Sequence, residues 1–284
     1  MEDRHRARSA SQRLGCGGVS TFDLPVSVVL ALWAPLPSSR GTAVVEGPDG
    51  AHEVDDSASP WGLGRLPLER WLTGFGALER ACAALVSPAD PLPGLAAAVD
   101  AGECALLEAA AGRRVLLIPD GAGTSAVWRA EELLAPPPPL DAGQARRDVH
   151  AATQEAIDAL TELDLARERP ELADTLTDLV TAVIDPRLLP PSLDARRRVL
   201  LERSLRLAAI CELALADDGA SATALQAERR TRVLRPLLTT ARYGVAAATE
   251  WWGPRSSSYY GVIIIQNIKE IYKSNFLINE RTYL

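Results

Sequence analysis

Apolar positions recur at helical spacing through the second half of the chain, and each stripe has its own start or stop signal. Asp141 with Gln144 forms a capping-box pattern ahead of a stripe of Val149, Ala152, Ala156, Leu160 and Leu163. Pro170 suits a first helical position. Leu172, Leu176, Leu179 and Val183 follow it, and Pro186 stops the run. Ser192 marks the start of a third helix whose Leu201, Leu205, Ala208, Cys211 and Leu215 share a face, with Gly219 just past its end. Thr223 and Gln226 open a fourth, with Leu234, Leu238, Ala241 and Val245 in register, and Pro236 predicts a kink or break inside it.

The first half is mixed. Residues 42–46 and 52–54 flank Gly47, Pro48, Asp49 and Gly50, which predicts a hairpin. Pro67 begins a helix in which Leu68, Trp71, Leu72, Phe75, Leu78, Cys82 and Leu85 line one side, although Gly74 and Gly76 each weaken it by about 1 kcal/mol. Residues 104–107, 113–118 and 125–129 read as strands of a small sheet packed by one or two helices. Between the halves, Pro136 to Pro139 cannot continue a helix or join the middle of a sheet, so they read as a stiff, extended spacer. The fold class is therefore α+β, predominantly α. A small mixed domain spans 23–135, a proline spacer 136–140 and a four-helix domain 141–254.

Composition changes the picture at the two ends. Both lysines and all three asparagines of the 284-residue chain lie after Pro254, and residues 255–284 contain no Ala. Residues 1–254 carry their charge on Arg, Asp and Glu and their bulk on Ala, Leu, Val, Gly and Pro, as GC-rich coding would give. The last thirty residues therefore read as an appended tail of foreign composition, to be kept out of the fold. Residues 1–22, carrying Arg4, Arg6, Arg8 and Arg13, read as a basic leader expected to be disordered. The apolar run at 26–33 gives it some likeness to a secretory signal. Glu2, Asp3, Pro35 and Pro37 fit such a signal poorly, so a solvated leader followed by a buried first element is the reading preferred.

A net charge of −7 argues against a general nucleic-acid binder. Cys16, Cys82, Cys104 and Cys211 are too scattered for a disulfide framework or a CxxC metal site, and read as core or leader residues. His52, Glu53, Asp55 and Asp56 could offer metal ligands. Neighbours on a strand point to opposite faces, however, so a solvated acidic edge is expected instead. The strand ending at Ile118 leads into Asp120, Gly121 and Gly123, which could cradle a phosphate. The Lys-Ser/Thr pair of a phosphate loop and the third Gly of a dinucleotide fingerprint are absent, so a hairpin turn is favoured there and no cofactor is implied.

Certain stretches resemble a group of uncharacterised proteins from high-GC actinobacteria. These are Asp90-Pro91-Leu92, Ala101-Gly102-Glu103-Cys104-Ala105-Leu106-Leu107, Val127-Trp128-Arg129, Arg169-Pro170-Glu171, Leu193-Asp194-Ala195-Arg196-Arg197 and Leu215-Ala216-Asp217-Asp218-Gly219-Ala220. The resemblance covers residues 24–250 and implies no activity, cofactor or catalytic residue. The expected function is that of a cytoplasmic, non-catalytic binding or regulatory module with a protein partner and no membrane contact. Its contact surface is placed on the Arg-rich helix faces at Arg196, Arg197, Arg203, Arg229 and Arg230. The alternative is a small-molecule-binding protein or enzyme with a pocket near the 119–129 hairpin, using Asp120, Gly121, Gly123 and Arg129.

Overall fold

The computed structural model describes residues 21–36, 39–47, 50–59, 62–90, 94–120, 127–163, 170–216 and 224–253. The tail after Gly253 and the first twenty residues of the leader lie outside these. The leader's last two residues do not: Phe22 is buried, and its N–H donates to Val183 O at 3.0 Å.

Helix α1 (Val26–Trp33) is the buried first element. Its first turn has no cap of its own and borrows one from the sheet: the N–H and hydroxyl of Ser27 both donate to Glu103 Oε2, at 2.9 and 2.6 Å. Helix α2 (Ser39–Glu46) stands where a hairpin arm was expected. Thr42 and Val45 face inward one helical turn apart, and the Gly47 N–H closes the helix onto Ala43 O at φ +71°. The Gly-Pro turn signal therefore marks a helix C-terminus rather than a strand reversal.

Seven strands form one sheet among the described residues, in the order β2-β1-β6-β5-β4-β3-β7. They are β1 (Glu53–Asp56), β2 (Gly64–Pro67), β3 (Leu78–Leu85), β4 (Glu103–Ala109), β5 (Arg113–Asp120), β6 (Val127–Glu132) and β7 (Trp251–Trp252). β1 runs parallel to β6, and every other pairing is antiparallel. The helix expected to run from Pro67 through Leu85 is short. Helix α3 (Leu68–Phe75) buries Leu68, Trp71 and Phe75, then ends at Gly76 with φ +104°. The rest of that apolar stripe belongs to β3, where pairing with β4 and β7 overrides the helical preference of its alanines.

The strands alternate cleanly. Ala81, Ala83, Ala105, Leu107, Val115, Leu117 and Trp128 enter one large core with α1 and the later helices. Cys82, Ala84, Cys104, Leu106, Leu116 and Ile118 form a second core on the opposite face. The large core takes residues from both sides of the proline run.

Four helices follow: α4 (Ala142–Leu163), α5 (Pro170–Thr181), α6 (Ala195–Ala216) and α7 (Ala224–Thr249). Asp141 caps α4 by accepting the N–H groups of Gly143 and Gln144 at 2.7 and 3.0 Å, but Gln144 does not reach back and bonds Asp148 instead. The cap of α6 is Asp194, not Ser192: its carboxylate accepts from Arg196 N and Arg197 N at 2.9 and 3.0 Å. The expected stripes are buried at Val149, Ala152 and Ala156, at Leu201, Leu205, Ala208 and Cys211, and at Leu234, Leu238, Ala241 and Val245. Leu176 and Leu179 are only half-buried, and Val183 lies exposed beyond the end of α5. Helix α7 runs unbroken across Pro236, where the expected break does not occur. Its length is held from outside, because it packs along α4, α6 and β3.

Two contacts lock α7 to its surroundings. Gly244 sits where a Cβ would lie 2.2 Å from Ser204 Oγ on α6 and 2.7 Å from Val149 Cγ2 on α4, so three helices meet at a point that admits no side chain. At the C-terminal end of α7, the Arg80 guanidinium on β3 is buried and fully engaged. Its Nε and Nη2 meet Glu250 Oε1 at 2.9 and 2.7 Å, Nη1 meets Glu108 Oε1 at 3.0 Å and Pro137 O at 2.8 Å, and Nη2 also donates to Pro138 O at 3.2 Å. The Trp252 ring covers it at 4.9 Å, and Glu250 Oε2 accepts the Leu140 N–H at 3.0 Å. Burial works against the Arg80 charge, but Glu250 and Glu108 outweigh it and raise the guanidinium pKa above its ordinary value.

Gly244→Ala should destabilise by about 1–3 kcal/mol in chemical denaturation, and Ser204→Ala, which removes a buried hydroxyl oxygen with no partner among the described residues, should restore part of that loss in the double variant. Glu250→Gln leaves Arg80 short of its nearest carboxylate, so a loss of about 3–5 kcal/mol is expected, read by calorimetry as a Tm lowered on the order of 10 °C.

Candidate functional site

The glycine loop was the first candidate for chemistry, and its flanks form a hairpin. β5 and β6 pair antiparallel with Asp120 opposite Val127 and Ile118 opposite Arg129. Gly121 and Gly123 lie outside the described residues, and Asp120 is exposed at the end of its strand. Arg129 is spent locally: it pairs with Glu131 at 2.5 Å and donates to Ala97 O at 3.1 Å. Neither cavity described below is lined by any of these residues.

Beneath β1 lies a polar cluster that periodicity explains only in part. Glu53 and Asp55 point outward, as an acidic edge should. Glu53 pairs with Arg65 at 2.7 Å, and Asp55 accepts from the hydroxyl and N–H of Ser57, which hold its carboxyl below the ordinary value. Asp56 departs from the expected solvated edge. It is fully buried, with Oδ2 accepting from Trp71 Nε1 at 2.9 Å. His52 is buried too, and its Nδ1 accepts from Trp128 Nε1 at 3.2 Å. That bond requires a neutral imidazole with its proton on Nε2. Burial pushes the imidazole pKa below its ordinary value, and the Glu46 carboxylate opposes this in part. Strand alternation places 52, 54 and 56 on the inner face, but nothing in the sequence pairs His52 and Asp56 with two tryptophans far along the chain. Among the described residues no three potential metal ligands converge.

The three described cysteines are core residues. Burial, first among the causes, pushes each of Cys82, Cys104 and Cys211 up to about 12, so they stay as thiols at neutral pH.

The basic helix faces divide into two populations. Arg197 is half-buried and donates through Nη2 to Ala247 O at 3.5 Å and to Glu250 O, closing the end of α7. Arg206 does the same for α5, reaching Leu179 O and Ala182 O at 3.3 and 3.0 Å. Arg242 holds Ser87 Oγ at 2.7 Å and Glu212 at 3.2 Å, and Arg232 pairs with Glu228 at 2.7 Å. Arg230 is buried, which removes it from any contact surface, and the Arg229 side chain lies outside the described residues. Arg198, Arg235, Arg196 and Arg203 form the second, exposed population, and the last two lie together on α6. Both are exposed, seven residues apart on one face of α6, and neither side chain has a partner among the described residues. Val199, 41% exposed, lies between them on that face.

Two cavities of about 260 Å³ each lie among the described residues. One lies among α1, α2 and α3, walled by Leu30, Trp33, Val45, Leu68 and Leu72. The other opens between the first turns of α4 and α6 and is lined by Ala142, Gly143, Arg146, Asp194, Arg196, Arg197 and Leu200.

The buried imidazole predicts a pH dependence. A pKa lowered by folding means that the unfolded chain binds the His52 proton more readily. The stabilising contribution is complete above the ordinary histidine value of about 6.5 and is lost as pH falls through the folded value. Denaturation curves between pH 8 and pH 5 should show this loss in the parent and a shallower one in His52→Gln.

Comparison with known proteins adds one relationship. Residues 143–246 match the family described as Rv1486c-like protein, C-terminal domain. The matched span opens in the first turn of α4 and closes in the last turns of α7, and it contains Arg146, Arg196, Arg197 and Arg203. No significant match is found among curated proteins or among solved structures. Over this span the chain is similar to that family, which fits the actinobacterial group its sequence resembles.

Proposed function

We propose that the protein is a non-catalytic binding module that engages an acidic segment of a protein partner through the exposed face of α6, and that residues 141–254 form the four-helix domain carrying this face. The observation that carries the reading is the contrast on α6. Arg197 and Arg206 are committed to backbone carbonyls, whereas the exposed Arg196 and Arg203 have no side-chain partner among the described residues and flank an exposed valine. Two forked guanidinium groups flanking a small apolar spot suit carboxylates set about an apolar side chain. The cytoplasm is the proposed setting, in keeping with three buried free thiols. No helix among the described residues is long and apolar enough to cross a membrane.

Charge reversal tests the face without touching the core. Arg203→Glu and Arg196→Glu should each weaken capture of the partner from a lysate of the native host by about tenfold, or about 1.4 kcal/mol. Raised salt should weaken capture by the parent in the same direction, and circular dichroism should be unchanged. Recovery of the same proteins in the same amounts by parent and variants would remove the reading.

A further inference from the structure

The cavity between α4 and α6 has the chemistry of an oxyanion site. Arg146 approaches it from α4, and Arg196 and Arg197 approach from the first turn of α6, against the single carboxylate of Asp194. The free N–H groups at the two helix starts are not the donors. Those of Gly143 and Gln144 are taken by Asp141, and those of Arg196 and Arg197 by Asp194. What remains is the arginine side of the lining, Arg146, Arg196 and Arg197. Arg197 contributes its charge rather than a fork, because its Nη2 is taken by the carbonyls of Ala247 and Glu250. Arg146 and Arg196 are exposed, and their side chains have no partner among the described residues. Three arginines against one carboxylate make the lining net positive, which favours a doubly charged ligand, and the forks of Arg146 and Arg196 match the oxygen spacing of a tetrahedral oxyanion. The apolar Leu200 is the non-polar part of the lining.

We propose that this cavity binds a phosphate dianion, either free or as the terminal group of a small phosphate monoester. The inference does not rest on the partner-binding reading. Arg146 is not on the α6 contact face, and Arg203 does not line the cavity.

Isothermal titration of the full chain separates the two. Inorganic phosphate, titrated at constant ionic strength against a chloride control, should bind saturably. Arg146→Gln should weaken binding by about tenfold, and Arg146→Gln with Arg196→Gln should abolish it. Arg203→Gln should leave it unchanged. These arginines are exposed, so circular dichroism should report folded variants throughout. A parallel titration with glycerol phosphate distinguishes the source: tighter binding than inorganic phosphate assigns a monoester, and equal or weaker binding assigns the free ion. Absence of saturable binding above chloride would overturn the proposal. So would an Arg203→Gln variant that loses as much affinity as Arg146→Gln, because the attraction would then be diffuse surface charge.

Discussion

A guanidinium cannot shed its charge when it is buried, so every group around Arg80 is constrained to answer it. Those groups come from distant parts of the chain. Glu250 follows α7, Glu108 stands on β4, the carbonyls of Pro137 and Pro138 belong to the proline run, and Trp252 lies on β7. Leu140 joins through Glu250, just before α4 begins. One desolvated cation on β3 thereby ties the proline segment and the end of α7 to the same point. A segment that reads as a spacer is thus tied to the core through its backbone oxygens.

The residues next to Arg80 are small, which lets α7 come close to the sheet edge. β3 presents Ala81, Ala83 and Ala84, and α7 answers with Ala246, Ala247 and Ala248. The Ala83 N–H, beyond the reach of the two-residue β7, donates to Thr249 Oγ1 at 3.0 Å. Glu250 then links core to surface: its side chain holds Arg80, while its backbone oxygen accepts from Arg197 at the α6 cavity. The candidate anion site and the exposed α6 face are therefore oriented by the same junction that seats α7 on the sheet. Gly244 performs the equivalent task halfway along the helix, where α4 and α6 press against it.

Legibility followed the range over which each signal acts. The stripes of α4, α6 and α7 were readable because a face buried along one helix repeats every turn, and the strands around 104–107 and 113–118 because burial on both faces leaves continuous apolar runs. The stretch from Leu68 to Leu85 misled because alanine and leucine spacing fitted a helix, while the choice between helix and strand was made by β4 and β7. Residues 42–46 misled because the turn signal that follows them suggested a strand reversal, whereas Gly47 closes a helix that packs on α1. Of the candidate arginines, exposed Arg196 and Arg203 cannot be told from buried Arg230 by sequence, and Arg146 carried no signal at all. Its role depends on α4 and α6 starting side by side.

By itself the sequence determined the mixed α+β class, the amphipathic helices after the proline run, the absence of a general nucleic-acid charge balance and the contrast in composition at residue 255. These depend on local spacing and on totals, which a linear chain carries without folding. Tertiary structure alone decided that Asp56 and His52 lie buried against tryptophans, that Arg80 is enclosed by partners from across the chain, and that three arginines share one cavity. Each of these is a meeting of residues far apart in sequence, set by burial and by the demand of desolvated polar groups for partners, and neither constraint acts until the chain has packed.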